Sequence, residues 1–123
     1  MPLNKIRLEL ARNPDFPEGS RDHGYEFVAP LTDDGHLDPE EWLRDPDACV
    51  AWRFWTGEED EHGRLVRLGP DRWVFDYDPF SDDDDEPTFR FDRHSFVPGE
   101  YVSITEHDGV ERTFRIVDVR PLD

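Results

Sequence analysis

The sequence predicts an all-β, mainly antiparallel protein: a small single-domain β-barrel or sandwich of about seven to eight strands, with one short helix near residues 39–44. Three observations carry this prediction. Short stretches of alternating apolar and polar residues recur along the chain, separated by Gly, Pro, Asn and Asp. One stretch alone carries a helix-start signal. Nine Phe, four Trp and three Tyr are buried together only if the sheet curls on itself.

The clearest element is Gly99–Arg120, which reads as a β-hairpin. Val102 and Ile104 share a face of its first arm, and Phe114 and Ile116 share a face of its second. A two-residue loop at Asp108-Gly109 would set Val102 opposite Arg115. A three-residue loop, His107-Asp108-Gly109, sets Val102 opposite Phe114 and Glu106 opposite Val110. It also places Gly109 where a G1 bulge needs a left-handed residue. The second register keeps the apolar set on one side and is preferred, because a slip of one residue would reverse every side chain. Val110 is expected on the same face as Phe114, and the hairpin is expected to be structural throughout.

Lys5–Leu10 reads as a strand with Ile6, Leu8 and Leu10 on one face, and Gly24–Ala29 as a second, alternating Tyr25, Phe27 and Ala29 with Glu26 and Val28. Between them Asn13-Pro14, Pro17 and Gly19 mark a loop. Asp38 is placed to cap a helix, Pro39 fits its first position, and Glu41 completes a capping box. Leu37 and Trp42 occupy the two staple positions, and Pro46 stops the helix. Trp42 is expected to plug one end of the barrel. Cys49–Thr56 is the most apolar strand, with Val50, Trp52 and Phe54 on one face and Ala51, Arg53 and Trp55 on the other; alternation alone does not say which face is inward. Gly57–Gly63 reads as an acidic loop. Arg64–Leu68 and Arg72–Tyr77 form a hairpin with Trp73, Phe75 and Tyr77 in phase. Residues 78–87 form a flexible acidic loop, and Thr88–Phe91 a short strand. With no repeat and no linker, residues 1–123 make one acidic barrel-like domain.

The chain has 31 acidic and 14 basic residues, a formal charge of −17. That charge opposes binding to nucleic acid or to an anionic membrane. Cys49 is the sole cysteine, so neither an intramolecular disulfide nor a thiolate metal cluster is available. The first residues lack the apolar run of a signal peptide, and no segment approaches the roughly 20 apolar residues of a membrane span. A cytoplasmic setting is expected, with no nucleic-acid or membrane partner.

There is no Gly-x-Ser-x-Gly elbow, no glycine-rich phosphate loop and no His-x-x-x-His pair. The expected function is therefore non-catalytic: a protein-interaction module that binds a partner, a basic one by charge, through an aromatic patch or an acidic rim. No catalytic residue and no cofactor are predicted. The candidate aromatic face comprises Trp52, Arg53, Trp55, Trp73 and Tyr77, which would suit a peptide, a sugar or a cationic group. One alternative is a cation-binding or metal-dependent enzyme domain using the acidic cluster Asp76–Glu86. Its candidate ligands are Asp76, Asp78, Asp82, Asp92 and His94, holding a divalent cation weakly. The spacing is not that of an EF-hand, since Ser81 and Pro87 stand at the sixth and twelfth positions counted from Asp76. A second alternative is small-molecule or carbohydrate binding on the tryptophan-rich face.

Overall fold

The computed structural model describes residues 3–69, 72–77, 91, 95–106 and 109–122, together with the backbone of 86–89. Eight strands run in chain order: β1 (Leu3–Leu10), β2 (Ser20–Pro30), β3 (Val50–Trp55), β4 (Glu61–Gly69), β5 (Arg72–Asp76), β6 (Glu86–Phe89), β7 (Tyr101–Thr105) and β8 (Glu111–Pro121). Each pairs antiparallel with the next, and β8 returns to β1, so the sheet closes on itself. The wall is thin at β6, which shares two residue pairs with β5 and two with β7. Pro87 has no N–H to give to the β5 ladder, which helps keep that seam short. The other seven strands form the broad curled sheet. No helix among the described residues is long and apolar enough to cross a membrane.

The hairpin β7–β8 adopts the three-residue register. Val102 pairs with Phe114, the Glu106 N–H donates to the Val110 carbonyl, and Gly109 has φ +83° with its N–H on the Glu106 carbonyl. Val102, Ile104, Phe114 and Ile116 are all buried. Val110 is instead exposed, because it lies at the loop end, beyond the last ladder pair of Thr105 with Glu111. The first strand buries Ile6, Leu8 and Leu10 as its alternation predicts.

Several strand boundaries differ from the sequence reading. The second strand begins at Ser20, four residues early, and β4 begins at Glu61 inside the expected acidic loop. Polar residues extend both strands because they find ladder partners: His23 opposite Trp55, and Glu61 opposite Arg53. The sixth strand spans Glu86–Phe89 rather than Thr88–Phe91, since Glu86 and Pro87 pair with Phe75 and Val74. The rest of the expected acidic loop, residues 78–85, lies outside the described residues.

Helix α1 (Pro39–Arg44) starts as its capping signals require. Asp38 is extended, at φ −103° and ψ 100°, and its side chain accepts the Glu41 N–H at 3.2 Å. A single 3-10 turn, Pro46–Ala48, leads into β3. Trp42 packs edge-on against Trp73 at 5.6 Å and donates its indole N–H to the Leu65 carbonyl at 2.9 Å. The first residue of β3 pairs with Arg64, so β4 runs on past its neighbour. The Cys49 carbonyl accepts the Leu65 N–H, and the Leu65 carbonyl accepts the indole N–H. Trp42 thus finishes the ladder where β3 has not yet begun, packed against the core from outside.

The interior is filled. Tyr25, Phe27, Phe75, Phe91, Phe96 and Phe114 are fully buried beside Ile6, Leu8, Leu65, Ile104 and Ile116. Phe75 sits centrally, stacked on Tyr25 at 5.1 Å and tilted against Phe27 at 5.4 Å. On the outer wall the Phe54 ring lies over Gly24. A Cβ there would stand 3.1 Å from the ring and 2.0 Å from the Leu8 carbonyl oxygen, so only glycine fits beneath it.

Candidate functional site

Ladder register determines which face of β3 points inward. Ala51 pairs with Phe27, and Arg53 with Tyr25, so Ala51 and Arg53 join the interior while Val50, Trp52 and Phe54 face out. An arginine inside a small barrel needs a counter-charge, because an unpaired buried ion is costly. Glu106 supplies it from the end of the β7–β8 hairpin, with its side chain only 1% exposed. One Glu106 oxygen, Oε2, accepts both the Tyr25 hydroxyl at 2.7 Å and Arg53 Nε at 2.9 Å. The other, Oε1, accepts Arg112 Nη1 at 2.7 Å. Arg53 Nη1 also reaches Glu58 at 3.0 Å. Burial disfavours the charged Arg53, but the charge and hydrogen bond of Glu106, helped by Tyr25 and Glu58, hold its pKa above the ordinary value.

The mouth of the barrel is finished by rings. Trp55 lies under the guanidinium groups of Arg53 and Arg112, at 4.6 and 5.4 Å. His23 meets Trp55 edge-on at 4.4 Å and Phe16 at 4.7 Å, and its Nδ1 shares a 2.6 Å hydrogen bond with the Ser20 hydroxyl. With donors on both Glu106 oxygens, this cluster is built to hold charge in place.

Burial lowers the His23 pKa; Arg53 acts in the same direction, while Asp22, Glu106 and Glu58 oppose it. A folded pKa below the unfolded value means that the unfolded chain binds the extra proton first. The His23 contribution to stability is therefore complete above about pH 6.5, the unperturbed histidine value, and is lost as pH falls through the lower folded pKa. Urea unfolding between pH 7.5 and pH 5 should show stability falling with pH, and His23→Gln should flatten that slope. The same slope in both proteins would contradict the assignment. Glu26 titrates in a lower window. Burial would raise its pKa, but Arg7 at 2.7 Å and Lys5 at 3.1 Å outweigh burial and depress it.

On the outer wall, α1 and the 3-10 turn stand against β3, β4 and β5 around a groove of about 510 Å³. Trp42, Val50, His62, Val66, Asp76 and Tyr77 line it, with the Asp47–Arg64 ion pair at its edge. Gly63 makes the groove possible. A Cβ at that position would stand 2.3 Å from the Asp76 carbonyl oxygen and 2.8 Å from the Tyr77 ring. Its absence lets the end of β5 and the ring close onto β4. Trp42 and Tyr77 are half-buried, packed on the core beneath and open to the groove above.

The five candidate aromatic-face residues do not form one platform. Trp73 is 2% exposed and belongs to the core. Trp52 is on the outer wall, edge-on to His62 at 6.3 Å with Lys5 5.4 Å from its ring centroid. Arg53 and Trp55 are at the mouth, and Tyr77 is in the groove. Of the candidate metal ligands, Asp76 lies opposite Arg64 on the groove wall; Asp78, Asp82, Asp92 and His94 lie outside the described residues. Among the described residues no three His, Cys, Asp or Glu side chains converge on a point that could hold a metal. Cys49 is fully buried, and burial, with a smaller effect from Asp45, pushes its thiol up to about 11.

Sequence reasoning missed Glu106 and Tyr25 as partners of Arg53, and Trp42 as a groove residue. Glu106 carried a usable signal: it is in phase with Val102 and Ile104, so the preferred register already turned it inward. The chain matches no protein-family model, no curated protein and no solved structure.

Proposed function

We propose that this chain is a non-catalytic interaction module that holds a basic segment of a protein partner in the groove between α1 and β4–β5. One observation carries the reading. The aromatic rings of the core fill the interior, whereas Trp42 and Tyr77 are left half-buried on the outside beside carboxylates. A partner is therefore met on the wall rather than inside the barrel. Aromatic side chains flanked by acidic groups suit arginine and lysine, whose cations are attracted to ring faces and to carboxylates. Tyr77 also leads directly into the acidic run that begins at Asp78, and a net charge of −17 steers basic partners toward this surface.

The test is binding of a short arginine- and lysine-rich peptide. Affinity should fall as salt rises, because surface charges are screened. Val66→Arg, on the groove wall, should weaken binding about tenfold, equivalent to ~1.4 kcal/mol, with little change in thermal stability. Salt-independent binding, or wild-type affinity in Val66→Arg, would remove the groove from consideration.

A further inference from the structure

A second groove, of about 590 Å³, lies where β1 and β8 meet the loop that joins β1 to β2. The loop is folded back on itself. The Asn13 side chain accepts the N–H groups of Asp15 and Phe16, Asn13 and Phe16 form a bridge, and Gly19 turns at φ +75° to donate to the Phe16 carbonyl. Ala11 N–H pins the loop to Thr113 of β8. This fold brings Arg12 and Arg21, from opposite ends of the loop, to the same groove as Arg115. Arg115 in turn pairs across the ladders with Tyr101 on one side and Glu9 on the other.

Most of the other described arginines are already tied to carboxylates. Arg7 is tied to Glu9 and Glu26, Arg44 to Glu41, Arg53 and Arg112 to Glu106, Arg64 to Asp47, and Arg120 to Asp118. Arg12, Arg21 and Arg115 make no ion pair among the described residues. In a chain with 31 carboxylates to 14 bases, bases without an ion pair are the minority among the described residues; Arg72 is another, but these three share one groove. Glu9, one of its two acidic residues, is taken by Arg7 at 2.8 Å, which leaves Glu18 as the other. Tyr101 stands at the same groove, 53% exposed, and is the only exposed Phe, Tyr or Trp among the described residues.

Guanidinium groups bind phosphate oxygens through paired hydrogen bonds. The volume suits a small molecule. A long polyanion would meet the −17 surface around the groove, whereas a small anion within it feels mainly the nearest charges, since the Debye length is about 8 Å at physiological ionic strength. We propose that this groove binds a small phosphorylated molecule with a planar ring, its phosphates held by Arg12, Arg21 and Arg115 and its ring resting on Tyr101.

The experiment is calorimetric titration of the full chain with ADP, inorganic phosphate and adenosine. ADP should bind, phosphate should bind more weakly, and adenosine should not bind. Combined Arg12→Gln, Arg21→Gln and Arg115→Gln should cut ADP affinity at least about tenfold while leaving the thermal midpoint of the free protein unchanged. Tyr101→Ser should weaken ADP but not phosphate. Arg72→Gln, an exposed arginine outside the groove, should change nothing. The proposal is overturned if neither ADP nor phosphate binds at millimolar concentration, if adenosine binds as well as ADP, if Tyr101→Ser leaves ADP unaffected, or if the triple variant binds ADP no worse than Arg72→Gln. Basic-peptide binding in the α1 groove should survive the triple variant, so the two sites fail or stand separately.

Discussion

Glu106→Ala should lower the free energy of unfolding by about 3–5 kcal/mol, the cost of leaving a buried charge without its partner. The substitution removes acceptors from Tyr25, Arg53 and Arg112 at once. Arg53 has a side chain only 5% exposed and would keep its contact with Glu58 at the rim. The loss differs from the worth of the pair. Two buried ions are expensive to bring out of water, so replacing both by apolar residues of similar size is often neutral or better. Arg53→Met combined with Glu106→Leu should therefore recover a substantial part of what Glu106→Ala loses. Equilibrium urea unfolding of the three proteins at pH 7 checks this. A loss below about 1 kcal/mol in Glu106→Ala, the scale of an exposed ion pair, would show that the mouth is open to water.

Phe75→Ala should cost a similar ~3–5 kcal/mol, the range for a large aromatic removed from a packed core. Phe75 is fully buried and touches Tyr25, Phe27 and Phe91, the last at 5.9 Å. Its removal opens a hole that neighbours held by closed ladders cannot fill. The same urea titration measures it, and the result bears on function. A loss below about 1 kcal/mol would mean that the interior has room to spare, and an internal ligand would then compete with the outer groove as the working site.

Much of the fold was legible because local rules and tertiary packing agree. The hairpin shows this best: Gly109 and the apolar phase of Val102, Ile104, Phe114 and Ile116 select one register. The capping residues at Asp38–Glu41 follow in the same way. The strand Val50–Trp55 shows where local rules stop. Its two faces were clear, but both were aromatic, and the more apolar-looking face, Val50, Trp52 and Phe54, is the outer one. Packing decided otherwise: small Ala51 fits opposite Phe27, and Arg53 finds Glu106, 53 residues away in the chain. Strand length was harder still. Glu61 and His23 read as loop residues, and ladder pairing with Arg53 and Trp55 makes them strand. The candidate aromatic face was dispersed for the same reason, since curling sent Trp52, Arg53 and Trp73 to three different surroundings. The groove at Trp42 and Tyr77 depends on Gly63, whose importance comes from a close approach between strands that no local pattern records.

Whether a basic partner sits on the wall beside α1 can be read directly from amide chemical shifts during titration with the arginine- and lysine-rich peptide. The account predicts saturable shifts at Val50, His62, Val66, Asp76 and Tyr77, with the Trp42 indole N–H moving among the most, and no comparable change at Tyr25 or Glu106. Shifts concentrated at the barrel mouth, or spread evenly over the acidic surface, would contradict it.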